Sequence, residues 1–250
     1  MERITSRQNP LMTHIRKLAS SAAYRRERGE YLGDGVKLLE EAIRWGSELT
    51  CVVTAEGVDI PVPAGVRQVE VPSTLMDAIS PADTPQGALF IAARPDPILP
   101  GTLAGERYLV LDGVQDPGNV GTIWRTADGL GADGLLLLPG CADPWSPKTV
   151  RAAMGAAFRL PVWQTTGEEL KRLLKSSRLP LWGTALRADS EDIRQMGKKR
   201  CAVVIGSEGK GISPDILTLC DRTFHIPMRP RCESLNAAVA ASVVLWEMAR

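Results

Sequence analysis

The run YLVLDGVQDPGNVGTIWRTADGLGADGLLLLPG, Tyr108–Gly140, decides how the larger part of this chain is read. Its first residues are short and almost wholly apolar, the mark of a strand buried on both faces, as in a parallel sheet. The chain then turns at Asp116-Pro117-Gly118, and Asn119 is placed to cap a helix with its side-chain oxygen. Val120, Ile123, Trp124 and Ala127 follow at i, i+3, i+4 and i+7, which makes one buried face. Gly121, Thr122, Arg125 and Asp128 fall on the other side. Glycines 129 to 134 stop the helix and turn it into a second apolar run, GLLLLPG. Strand, helix and strand with short joints predict a parallel βαβ unit. "GLGADG" satisfies GxGxxG, but it follows a helix and precedes a strand, the reverse of a dinucleotide fingerprint. A glycine one turn ahead of Arg125 removes bulk where the guanidinium would lie back over the helix. That arrangement suits a phosphate. From these residues alone, a surface arginine on an ordinary helix reads equally well.

Further apolar runs extend the pattern: LPVWQT, LPLWGTA, CAVVIGS and TFHIPM, each with Gly, Pro or Thr among its last two residues. In such sheets ligands bind where strands end and loops cluster. Gly206, Gly209 and Gly211 follow a buried strand and allow a ligand to approach bare backbone. "GSEGKGIS" is not a phosphate loop, because Ile212 stands where lysine is required. The last helix opens at "ESLN", with Ser234 or a neighbour as cap, and has no charged residue from Leu235 to Trp246. A helix apolar all round must be covered on every side.

The 250 residues, 44% hydrophobic and 24% charged, suit one large domain or two smaller ones. Residues 1–94 read as mixed α/β, with helices over Asn9–Gly29 and Val36–Gly46 and strands in LTCVVTA, VRQVEVP and GALFIAA. Three prolines and two glycines in RPDPILPGTLAGE set a linker at 95–105, and the parallel-sheet domain fills 106–250. The net charge of +1 hides a local excess: residues 1–28 hold seven basic and two acidic side chains, a charge of +5. Arg7, Arg16, Lys17, Arg25 and Arg26 are candidates to meet a polyanion. A solvated helix face reads equally well from that cluster alone. Five cysteines without CxxC spacing argue against a disulfide framework or zinc site and fit a reducing compartment. Two histidines leave little material for a Ser/His/Asp triad or a multi-His metal site. No signal-type segment and no apolar stretch near membrane length occur, so a cytoplasmic location is expected.

Three stretches together carry a family resemblance. DPGNVGTIWRTADGLGADG resembles the first motif of the SpoU (TrmH) family of RNA ribose 2′-O-methyltransferases, in the SPOUT superfamily; VVIGSEGKGIS resembles the second, and IPMRPRCESLNAAVA the third. Order and spacing also agree, from about residue 108 to the C-terminus. More weakly, ITSRQNPLMTHIRKL with YLGDGVKLLEEA is similar to the substrate-binding domain that many members carry, with Asp34 where glutamate is expected. Ala237 and Ala238 replace a frequent Val-Ser pair in the third motif.

The resemblance implies an α/β fold: a parallel-sheet SPOUT methyltransferase domain with a C-terminal trefoil knot, preceded by a small α/β RNA-binding domain. It implies S-adenosylmethionine as cofactor, lined by Thr184, Ala185, Gly206, Ile226, Pro227, Met228, Ser234 and Leu235. It assigns polar roles around the reacting hydroxyl to Asn119, Arg125, Glu208 and Asn236, with Glu208 orienting Arg125. Family proposals make Arg125 the base, yet a free arginine stays protonated. Gripping the flanking phosphate and stabilising alkoxide charge is the sounder physical role. No metal is required. A homodimer is implied, with Arg125 reaching towards the partner's cofactor pocket. The RNA would be ribosomal first and transfer RNA second. The alternatives are a base methyltransferase of the same fold, and a non-catalytic RNA-binding or assembly factor.

Overall fold

The computed structural model describes every residue except Asp96, Pro97, Lys198, Pro230, Cys232 and Glu233. Two residues of the expected linker, three of the third motif and one of the five cysteines therefore lie outside the described residues. The chain forms two compact units, Met1–Asp96 with Asp143–Phe158, and Pro97–Ala142 with Arg159–Arg250.

The first unit holds β1 (Glu2–Arg3), α1 (Pro10–Ser20), α2 (Ala22–Arg28), β2 (Glu30–Asp34), α3 (Val36–Arg44), β3 (Leu49–Ala55), β4 (Arg67–Val71), α4 (Ser73–Ile79) and β5 (Ala88–Ala93). Its five-stranded sheet has the order β1-β4-β3-β5-β2, with β5 antiparallel to both neighbours and the other pairs parallel. The single helix expected over Asn9–Gly29 is two helices. Ser21 takes extended backbone, and its hydroxyl accepts from the Tyr24 amide. A serine's local side-chain bond to the backbone competes with continued helix and caps the next one instead. Leu11, Met12, Ile15 and Leu18 of α1 are buried in one core with Val53, Val69, Leu89 and Ile91 of the sheet.

The second unit begins with β6 (Arg107–Asp112), α5 (Pro117–Gly129) and β7 (Gly134–Leu137), the predicted βαβ, with β6 and β7 parallel. Asp116, not Asn119, caps α5: its carboxylate accepts from the Asn119 amide at 2.8 Å, and Pro117 opens the first turn. Proline suits that position because its missing N–H would have had no intrahelical partner. Val120, Ile123, Trp124 and Ala127 are fully buried, and the Trp124 indole N–H donates to Leu160 O at 2.9 Å. Gly121 is buried too, contrary to its expected place on the open face. The C-terminal helix packs on α5.

The chain next passes through Asp143–Phe158, which joins the first unit. There α6 (Pro147–Ala153) packs on β2, and the following 3-10 turn, Met154–Phe158, packs on α3. The Tyr31 and Trp145 rings lie 4.9 Å apart, and the Arg25 guanidinium grips Asp143. The second unit resumes with β8 (Val162–Gln164), α7 (Gly167–Ser177), β9 (Leu181–Thr184), β10 (Glu191–Asp192), β11 (Cys201–Gly206), α8 (Pro214–Leu217), β12 (Arg222–His225) and α9 (Ala237–Ala249). Thr166 and Glu169 start α7 with a capping box, each side chain bonded to the other's backbone amide. The seven strands run in the order β10-β12-β9-β11-β6-β7-β8, every pair parallel, as the apolar runs predicted.

Candidate active site

All strands of the parallel sheet end on one side, so their following loops must gather there. The ends of β9, β11 and β12 and the approach to α9 enclose a cavity of about 400 Å³. This is within the ~300–1,000 Å³ usual for small-molecule sites. Of the eight residues expected to hold a cofactor, Thr184, Ala185, Gly206, Ile226, Met228, Ser234 and Leu235 line it, and Pro227 does not. Ile205, Ile212 and Phe224 add apolar wall, while Lys210, Arg187 and His225 add polar groups. Lys210 and Ile212 belong to the expected glycine loop, whereas Arg187, Ile205, Phe224 and His225 were not expected there from sequence. Strand-end residues look like ordinary core until the loops are folded back beside them. The lining fits an adenine held between aliphatic walls, with a charged end near Lys210 and Arg187.

The glycine loop is a tight hairpin. Ser207 N donates to Gly211 O and Gly211 N to Ser207 O, at 3.1 and 2.9 Å, and Gly211 needs its positive φ of +65°. A Cβ on Gly206 would lie 2.2 Å from the Gly211 carbonyl carbon and 2.4 Å from Ile212 N. Glycine is thus required there by the loop's own backbone, and not only by space for a ligand.

Three motif residues meet across this loop. The Asn119 side-chain amide donates to the Glu208 carboxylate, and the Asn236 amide donates to Asn119 Oδ1 at 3.1 Å. Asn236 at the same time caps α9, its Oδ1 accepting from Ala238 N at 2.9 Å and Val239 N at 3.3 Å. The cap is therefore the neighbour and not Ser234. Glu208 belongs both to this chain and to the cavity wall. It is engaged with Asn119, and the expected bond between Glu208 and Arg125 is not formed. Arg125 is exposed on α5 and makes no hydrogen bond or ion pair with any described residue. Its five donors stay open for an external anion.

At the β10–β12 edge of the sheet, Arg222 pairs with Glu191 and stacks on Phe224 at 4.9 Å, and that bond holds the Glu191 carboxyl below its usual range. Burial pushes the Cys220 and Cys141 thiols up to about 11 and Cys201 to about 12, so all three remain unreactive thiols. No group of metal-ligating side chains occurs among the described residues. Nor is any described helix long and apolar enough to cross a membrane.

Of the basic residues expected to meet RNA, Arg7, Arg16, Lys17 and Arg26 are exposed. Arg25 is a correction. It is 4% exposed and spends its guanidinium on Asp143, Leu18 O and Ala19 O. Its position on α2 turns it into the core, where a bare cation would be costly without these acceptors.

Comparison with known proteins bears on the whole chain. The SpoU rRNA Methylase family matches residues 106–246, and an MRM3-like substrate binding domain matches residues 9–90. The 23S rRNA (guanosine(2553)-2′-O)-methyltransferase RlmP of Bacillus subtilis is 30% identical, over 99% of each chain. The crystal structure of an AdoMet-bound rRNA methyltransferase from Sinorhizobium meliloti superposes with a TM-score of 0.87 at 31% identity, over 99% of this chain and 97% of that one. The SpoU methyltransferase AviRb from Streptomyces viridochromogenes, in complex with AdoMet, superposes with a TM-score of 0.89 at 26% identity, over 97% and 98%. With the motifs joined in one site and both units matched, this chain belongs to the SpoU rRNA methylase family.

Proposed function

We propose that this protein transfers a methyl group from S-adenosylmethionine to a ribose 2′-hydroxyl of ribosomal RNA. The observation that carries the proposal is the hydrogen-bonded chain Asn236–Asn119–Glu208, which ties the cap of α9 and the first turn of α5 to Glu208 on the wall of the cofactor-sized cavity. Bound S-adenosylmethionine supplies an electrophilic methyl group, so the protein's own task is to hold the hydroxyl and manage its proton. The strand ends with Ile226, Met228 and Leu235 form the adenine wall, and Thr184 donates to Val204 O at 2.8 Å, fixing the rim. Asn119 and Asn236 hold Glu208 still, which leaves its carboxylate preorganised. Arg125 grips a flanking phosphate and stabilises developing alkoxide. Relatives named for ribosomal RNA favour that substrate over transfer RNA.

The same reading includes a homodimer. Along α9, Val239 and Trp246 are 50% and 59% exposed, while the faces towards α5 and β11 are buried. A second copy covering that stripe would bring each Arg125 to the partner's cavity. The trefoil knot belongs here as well. It is supported by the chain's path from β11 back past β9 to β12 and then to α9. A cytoplasmic location completes the proposal.

The deciding experiment measures tritium transfer from labelled S-adenosylmethionine to ribosomal RNA, followed by mapping of the alkali-resistant linkage. Arg125→Ala is expected to lose roughly 10²-fold in rate with an unchanged melting temperature. Near wild-type turnover in that variant would remove the assigned role. Base methylation, with no alkali-resistant linkage, would replace the reaction itself.

A further inference from the structure

The first unit contains a second cavity that the methyl-transfer reading does not use. It measures about 220 Å³ and is lined by Tyr31, Trp45, Ser47, Glu48, Arg94 and Phe158 among others. This is below the ~300 Å³ at which sites for whole cofactors begin, and suits one planar ring system.

Its walls have a consistent chemistry. Trp45 caps the C-terminus of α3 and is 49% exposed, an unusual cost for a large aromatic residue, and the Arg44 guanidinium lies 6.0 Å from its ring centroid. Tyr31 is buried and its hydroxyl is bonded to Ser47, so that wall is rigid. Arg94 lies over Trp145 at 6.0 Å, and its Nε is buried without a hydrogen-bond partner among the described residues. A buried donor without an acceptor is the group most improved by an incoming one. Burial lowers the proton affinity of Arg94, with Asp143 opposing and nearby Arg26 and Arg25 adding to the decrease. A flat apolar face, a guanidinium and a carboxylate in one ring-sized cavity match a purine. Stacking supplies affinity, arginine donors meet the N7 and O6 acceptors of guanine, and Glu48 accepts from its amino edge.

We infer that the cavity between Trp45 and Arg94 captures one unpaired purine base of the RNA substrate, guanine best. The inference rests on the methyltransferase reading only for the identity of the polymer.

The test uses the full chain and fluorescein-labelled single-stranded RNA hexamers, one all uridine and one with a single guanosine inside. Anisotropy titration of the wild type should show tighter binding of the guanosine hexamer. Trp45→Ala should weaken that binding roughly tenfold, as loss of one base stack does, and Trp45→Phe should restore most of it. Arg94→Gln should abolish the preference between the hexamers. Should Arg94→Gln fail to fold, the exposed Trp45 variants still decide. Equal hexamer affinities in the wild type would overturn the inference, as would an unchanged preference in Trp45→Ala. A loss of dimer by light scattering in Trp45→Ala, without change in hexamer affinity, would assign the cavity to a second copy and also overturn it. S-Adenosylmethionine binding by calorimetry and methyl transfer to ribosomal RNA are measured alongside. Failure of methyl transfer with the guanosine preference intact would remove the enzymatic reading and leave the pocket standing.

Discussion

In the unit built on the seven-stranded sheet, the polar side chains that matter stand on the loop after β11 and at the starts of α5 and α9. In the unit built on the five-stranded sheet, they stand on helix faces. Asn119, Glu208 and Asn236 belong to the first kind and are locked to one another through defined acceptors. Arg25 and Arg26 belong to the second kind. They are neighbours in sequence, yet one is buried against Asp143 and the other is exposed. A loop that must follow a buried strand has few ways to fold, so its residues keep their places. On a helix, a rotation of one residue decides between core and water. Local pattern is thus a better guide to the parallel-sheet site than to the basic surface.

The strongest way to break this comparison is at the glycine loop. Gly206→Val drives a side chain into the Gly211–Ile212 backbone, whereas a Cβ on Gly209 meets nothing within 4 Å. Gly206→Val is expected to abolish S-adenosylmethionine binding in calorimetry and to lower the melting temperature, while Gly209→Ala leaves both unchanged. If Gly206→Val melted like the wild type, the loop would be less constrained than its geometry shows.

The arginine pair comes next. Arg25→Ala leaves Asp143 and two carbonyls without their donor, a loss of roughly 3–5 kcal/mol for a broken buried pair. The lower end applies because Asp143 keeps 15% of its side-chain surface. Urea unfolding measures it. Arg26→Ala should leave stability unchanged and reduce the salt dependence of RNA affinity by about one unit of log–log slope. Equal effects of the two substitutions would erase the distinction between them.

Smaller effects sharpen the comparison. Asn236→Ala removes the cap of α9 at about 1 kcal/mol and frees Asn119 Oδ1. Turnover should therefore fall more than stability, as single-turnover kinetics beside thermal melting would show. Met154 sits at φ 52°, ψ −142°, a conformation that suits glycine. Met154→Gly is expected to gain about 1 kcal/mol by relief of that strain. A loss of stability would mean that the methionine side chain packs better than its backbone suffers.

Much of the parallel-sheet unit was legible in the chain itself. Runs such as CAVVIGS and GLLLLPG leave no polar face, so they can only be strands covered on both sides, and their spacing with helices between them makes the sheet parallel. Patterning marked only the glycine loop after β11 as a place where backbone is bared; the other residues found on the cavity wall were expected from the family resemblance. The folded chain decided the rest. Asp116 took the cap expected of Asn119, since the helix starts three residues earlier, at Pro117, and leaves Asn119 to face Glu208 and Asn236. Residues Asp143–Phe158 joined the first unit through Arg25, Tyr31 and α3, contacts between positions more than a hundred residues apart that no local pattern encodes. Periodicity and turn chemistry act over a few residues and are written in the sequence. Which face of a helix is covered, and by what, depends on the free energy of packing distant segments together, and only the tertiary structure settles that.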